Sequence, residues 1–221
     1  GGAQVQFHNL ANKLVESEND IHCYIYRKTN INNNNYRIFI LNYFLTSIIY
    51  FFHYYLNISL NFILKIYLKR IIKKNKYDFW HFNYINYKSL ILINCLKELN
   101  QKIIVTFQGA DIQIHENINY GARLNKKYEK FLKTTIKNVD FFTSISKNIS
   151  IDLNQLGIPN NKIFSFPNCV NQSKFDSVFS ADRVTDHLTF ITVGRFAEKK
   201  KGFDLIKDIV EILNKKKIQF K

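Results

Sequence analysis

Lys102-Ile103-Ile104-Val105-Thr106-Phe107-Gln108-Gly109-Ala110-Asp111 is a β-branched and aromatic run that stops in a polar turn bearing a glycine. An apolar run of this length, bounded by turn residues, reads as a buried strand over 102–107. Comparable runs recur at 21–27, 78–83, 140–145, 162–166 and 188–194. Between them, apolar residues at helical spacing predict helices over 3–15, 38–74 (continuous or broken), 87–99, 124–137, 147–156 and 203–216. Strands alternating with helices imply parallel strands joined by crossovers, hence an open α/β sheet.

Working outward, Asn30 to Asn35 reads as an asparagine-rich loop, and 171–187 as a polar linker without periodicity. The expected organisation is a domain over 1–170, a linker over 171–187 and the start of a second domain over 188–221. That last piece holds one strand, one helix and the first residues of another strand. A lone βα unit cannot cover both faces of its sheet, so the second domain is expected to continue beyond Lys221. The chain opens Gly1-Gly2-Ala3-Gln4 and contains no methionine. A processed or shortened start is expected, with a further strand ahead of Gly1.

Among 221 residues, 46% hydrophobic and 15% aromatic content supports a real core and excludes disorder as the main state. Cys23, Cys95 and Cys169 are too few and too scattered for a disulfide framework or a cysteine zinc site, and fit a reducing compartment. No histidine has metal-ligand spacing, and no metal or cofactor is expected. The net charge of +15 favours an anionic partner: nucleic acid, lipid headgroups or a phosphorylated substrate. Its clusters are dispersed and match no nucleic-acid module, which leaves nucleic acid the weakest of the three.

Residues 38–64 carry no Asp, Glu, Lys or Arg. As one helix they would place Asn42, Thr46, His53, Asn57 and Asn61 along a narrow polar stripe. Lys65, Lys69, Arg70, Lys73 and Lys74 follow at once. Three readings stand: a helix buried in a soluble core, an interfacial helix on an anionic membrane, and a membrane span.

Three segments could carry chemistry. Gly1-Gly2 opens a helix, where unpaired N–H groups and the helix dipole favour an anion. Gln108 and Asp111 sit just past a strand's carboxyl end, where open α/β sheets bind ligands. The alternative there is an ordinary turn, with Asp111 as a cap. Val193-Gly194-Arg195 and Lys199-Lys200-Lys201-Gly202 bring arginine and lysine to a helix start, a natural diphosphate clamp, or else a solvated charge run. The dinucleotide fingerprint GxGxxG is absent.

Across nearly the whole chain the order and spacing of short motifs resemble the retaining GT-B glycosyltransferases of family 4. The carriers are Gly1-Gly2-Ala3, Asp78-Phe79-Trp80-His81, Thr106 to Asp111, Asp140 to Ser146, Leu156-Gly157-Ile158-Pro159, Lys162-Ile163, Pro167-Asn168, Phe175, Val193-Gly194-Arg195 and Lys201-Gly202. The resemblance implies a Rossmann-like open-sheet domain followed by the first βα unit of a second. It implies transfer of a sugar from a nucleotide-sugar to a glycan or lipid-linked acceptor, with retention and without a required metal. Cell-surface polysaccharide assembly at the cytoplasmic face of the membrane is the implied setting; the net charge and the 38–74 segment add an anionic membrane surface as a further partner.

By position, Arg195 and Lys201 match the basic pair on the donor diphosphate, with Lys200 as a substitute for Lys201. Gly1 and Gly2 match the loop approaching that diphosphate. Gln108 faces the donor sugar and Asn168 lies at the interdomain cleft. His81 and Asp111 are either acceptor-side or structural. Gln108 stands where family members often have histidine and cannot titrate near neutral pH. Cys169 replaces a glycine, and Asn171 stands where aspartate is common. The family's paired-glutamate segment has no counterpart before Lys221, so these 221 residues alone are expected not to turn over a donor. A non-catalytic basic module binding anionic membrane or glycan is the alternative.

Overall fold

A computed structural model of the chain describes residues 2–27, 34–168, 170, 188–194 and 201–220. It divides into two compact units, Gly1–Ile114 with Gly121–Cys169, and His115–Tyr120 with Val170–Lys221.

The first unit begins with α1 (Gly2–Glu16), β1 (His22–Ile25) and β2 (Arg37–Ile40). Then come α2 (Tyr43–Phe51), one π turn (Phe52–Leu56) and α3 (Asn61–Lys74). The remainder is β3 (Trp80–Asn83), α4 (Tyr87–Glu98), β4 (Ile103–Phe107), α5 (Lys126–Thr135), β5 (Phe141–Ser144), α6 (Lys147–Gln155) and β6 (Ile163–Ser165). Strands β3 to β6 form one parallel sheet in chain order, with Asn83 opposite Thr106, Thr106 opposite Thr143 and Ser144 opposite Ser165. This is the expected Rossmann-like α/β architecture. Val105, Phe107 and Phe142 point to one face and join Leu90, Ile93, Leu96, Leu132 and Leu153 from the helices in the core. Helix starts are set by side chains that accept orphan N–H groups: Asn86 in a capping box with Ser89, Asn125 and Ser146.

Three expectations change. First, among the described residues β1 and β2 pair with each other, in a separate two-stranded parallel sheet. Between β1 and β3, aromatic side chains make the contacts: Tyr24 stacks on Trp80 at 5.5 Å, and the Tyr77 hydroxyl, just ahead of β3, lies 2.7 Å from the Tyr24 hydroxyl. Second, 37–40 is strand, not the start of a helix, because Asn42 caps α2 by accepting from the Leu45 N–H. Of the two readings of the stretch to Lys74, continuous or broken, the broken one holds: it is two helices. Asn57 adopts a left-handed conformation (φ 56°) and closes the π turn with its N–H on the Phe52 carbonyl. Third, 188–194 is not a strand: Leu188 makes a lone parallel bridge to Phe220. A strand needs a partner along its length, and this segment finds one at a single residue among the described residues.

The second unit contains α7 (Ile206–Lys215), preceded by a 3-10 turn at Phe203–Leu205. Gly194 lies close to that turn: a Cβ there would stand 3.1 Å from the Phe203 ring and 3.7 Å from Lys201 Cγ.

Candidate active site

The carboxyl ends of β3 and β4 meet at a polar corner built on one turn. Gly109 takes a φ of 115°, open to glycine at little cost, so the chain reverses directly after Phe107. The Gly109 carbonyl then accepts from the N–H groups of Ile112 at 3.0 Å and Gln113 at 2.8 Å. Asp111, fully buried, turns its carboxylate inward. One oxygen accepts from the N–H groups of Gln108 and Gly109 and the other from that of Ile85, each at 2.9 Å. Tyr128, from α5, donates its hydroxyl hydrogen toward the carbonyls of Asp111 and Ile85, at 2.9 and 3.2 Å. The β3–α4 and β4 turns are thereby tied to each other through a single carboxylate. Burial pushes the Asp111 carboxyl up to about 6, against the opposing pull of its N–H donors from Ile85, Gln108 and Gly109.

What this anchoring presents is Gln108. Its side-chain amide donates to Asn83 Oδ1 at 2.6 Å, leaving the Gln108 carbonyl oxygen and the Asn83 amide for a hydroxyl-rich ligand. Next to Asn83, Tyr84 is 42% exposed and sits at φ 71°, which is uncommon for a bulky residue. The sequence reading did not single out Asn83 or Tyr84. Their signal was available: they are the last strand residue of β3 and its successor, on the same sheet edge as Gln108.

His81 lies on β3, the edge strand of the sheet, with its side chain partly buried. Its Nε2 and Thr106 Oγ1 are hydrogen-bonded at 2.7 Å, and Thr106 in turn bonds Thr143, a row of polar groups across β3, β4 and β5. Burial lowers the imidazole to about 4, so the ring is neutral at neutral pH. The folded pKa lies below the unfolded one near 6.5, so this contribution is present above about pH 6.5 and lost as pH falls through 4. His81→Gln should cost about 1–2 kcal/mol at neutral pH, a deficit that shrinks as pH falls from about 6.5 toward 4. Urea unfolding across that range reads it; a deficit that is constant or grows would reject the assignment of a neutral buried ring.

Gly2 opens α1, whose Ala11 packs with Cys23 and Tyr36 in a second, smaller core. A Cβ on Gly2 would meet nothing within 4 Å, so packing does not demand glycine and the space beside it is open. Asn168 is exposed, three residues past the carboxyl end of β6. Lys201 is exposed in the second unit, just before α7. Gly1, Lys200 and Arg195 lie outside the described residues, as do Cys169 and Asn171. Among the described residues no three His, Cys, Asp or Glu side chains gather as a metal site would require.

A shallow polar depression of about 520 Å³ lined by Asn61, Asn94, Lys97, Glu98, Thr134 and Asn138 lies beside the far end of α4. Helix α4 starts at the carboxyl end of β3 and ends before β4 begins, so this depression is at the opposite edge of the sheet from Gln108. We place the site by strand polarity rather than by cavity size, because ligands of open α/β sheets bind beyond the carboxyl ends of the strands.

No curated protein matches the chain at a significant level. A family model does, over residues 1–174, a span that includes α1, both parallel sheets, the Gln108 corner and Asn168, and ends ahead of Arg195 and Lys201. With that match covering most of its length, and with the parallel α/β architecture beneath it, the chain belongs to Glycosyltransferase Family 4.

Proposed function

We propose that the protein transfers a sugar from a nucleotide-sugar donor to a glycan or lipid-linked acceptor, with retention at the anomeric carbon, in cell-surface polysaccharide assembly. The observation that carries this reading is the Gln108–Asn83 pair at the carboxyl edge of the sheet, fixed from beneath by Asp111. Sugars are recognised by hydroxyls, and an amide pair offers both donors and acceptors without a net charge. Gly1 and Gly2 would admit the donor diphosphate to the N-terminus of α1, where free N–H groups favour an anion. Arg195 and Lys201, with Lys200 as second choice, would take up the charge that grows on the diphosphate as the glycosidic bond breaks. Asn168 would contribute from the end of β6.

Gln108→Ala in the full-length protein should lower kcat/KM for the donor by about 10–100-fold, the equivalent of one lost hydrogen bond in a desolvated site. The readout is transfer or hydrolysis of a panel of nucleotide-sugars, with the melting temperature of the variant as a folding control. Activity within twofold of the parent would remove Gln108 from the donor site. Absence of turnover by the full-length protein with every donor and acceptor offered would favour the non-catalytic reading.

A further inference from the structure

The segment that joins the two sheets is apolar on two sides: it buries Ile49, Leu64 and Leu68, and other large apolar side chains face out. Thr46 is buried, and its hydroxyl donates to the Asn42 and Tyr43 carbonyls. His53 bonds the Tyr87 hydroxyl at 3.0 Å. Asn42 is spent as a cap and Asn57 as the turn residue. By contrast Phe44 is 74% exposed, Phe62 58%, Ile66 52% and Phe51 50%, with Leu56 and Ile58 exposed at the turn between the helices.

This exposure is not that of a loose flap. Both helices pack on α4 and on each other, burying Ile49, Leu64 and Leu68. The π turn is held to the start of α5 by the Asn125 amide on the Tyr54 hydroxyl at 2.8 Å and Lys127 on the Tyr54 carbonyl at 2.7 Å. The exposed stripe of each helix therefore lies on its side away from α4.

Along α3 the stripe changes character. At about 100° per residue, Phe62, Ile66, Lys69 and Lys73 fall within an arc of about 60°. The outer surface thus passes from apolar to basic, with Arg70 and Lys74 alongside. No acidic residue occurs between Asp20 and Asp78. Glu98 reaches α3 but pairs with Lys65 at 2.6 Å, and among the described residues no ion pair engages Lys69, Arg70, Lys73 or Lys74. No helix among the described residues is long and apolar enough to cross a membrane.

We propose that this face of α2, the π turn and α3 docks on an anionic lipid bilayer, its aromatic and aliphatic side chains entering the headgroup–acyl boundary and its lysines meeting the lipid phosphates. An apolar patch beside uncompensated positive charge has the two attractions that interfacial helices use. The proposal is independent of the donor chemistry.

The test is co-sedimentation of the chain with phosphatidylcholine vesicles, with and without phosphatidylglycerol, at about 0.1 M and about 1 M salt. Binding should need the anionic lipid and weaken with salt. Phe44→Ser/Phe62→Ser and Lys69→Glu/Lys73→Glu should each weaken it by about tenfold or more, with unchanged melting temperatures because all four positions are exposed. Failure to bind anionic vesicles would overturn the proposal. So would binding that the phenylalanine pair does not affect, which would make it charge attraction alone. A self-associated chain, dispersed by Phe44→Ser/Phe62→Ser and indifferent to vesicles, would reassign the face to a second copy of the chain.

Discussion

Asp111→Ala should lower the melting temperature by roughly 10–20 °C. The alanine leaves three buried N–H groups, of Ile85, Gln108 and Gly109, without their acceptor. At about 1–3 kcal/mol for each orphaned group, with partial relief by local rearrangement, the loss is about 3–6 kcal/mol. That is a large fraction of the stability of an ordinary domain. Asp111→Asn separates the bonds. Its Oδ1 can still accept from Gln108 and Gly109, but its amide would face the Ile85 N–H donor to donor. An intermediate loss is expected.

The deficit of the alanine variant also depends on pH. The folded carboxyl titrates at about 6, above its unfolded value near 3.9, so its proton-linked stability is full below about pH 4 and is lost as pH rises through 6. The gap between parent and Asp111→Ala is therefore wider at about pH 4.5 than at about pH 7.5. His81 runs the other way over nearly the same window, so each variant reports a slope that the parent partly conceals. Thermal or urea unfolding of Asp111→Ala within about 1 kcal/mol of the parent would show that the turn does not depend on this carboxylate.

Arg195→Ala and Lys201→Ala should each reduce sugar transfer by the full-length protein by about 10²–10³-fold. The charge they are proposed to meet develops on the departing diphosphate, so the loss should fall on kcat, with the donor KM changing far less. Lys201 stands exposed at the start of the turn that leads into α7, close to Gly194. Its position also makes Lys201→Ala a mild substitution for stability, and the folded state is the internal control. Lys200→Ala provides the comparison: a small effect there with a large one at Lys201 supports the assignment, and the reverse transfers the role. Transfer within threefold of the parent in both Arg195→Ala and Lys201→Ala would remove the clamp from the proposal.

Much of the first unit was legible in the sequence because its signals are local. The strands over 103–107 and 141–144 are short apolar runs between turn residues, and Asn86 and Ser146 announce the helices they cap. The turn at Gly109 was visible for the same reason. The pairing of Gln108 with Asn83 was not, because those residues are 25 positions apart and meet only when β3 and β4 pair in register. The inward turn of Asp111 was equally hidden, since its donor at Ile85 comes from a different strand end.

The sequence alone therefore determined the alternation of parallel strands and helices, the polar turn after β4 and the basic, uncharged-then-cationic character of the segment before β3. Periodicity and turn chemistry act over a few residues and can be read there. Tertiary structure decided that the strands fall into two sheets, that Asp111 faces the interior and that α2 and α3 turn their apolar stripes outward. A helix with apolar residues on more than one side can bury only one of them, and α4 took the face bearing Thr46, Ile49, Leu64 and Leu68. Which face is left for a partner is thus a consequence of competition between neighbours, and no pattern within the segment itself encodes its outcome.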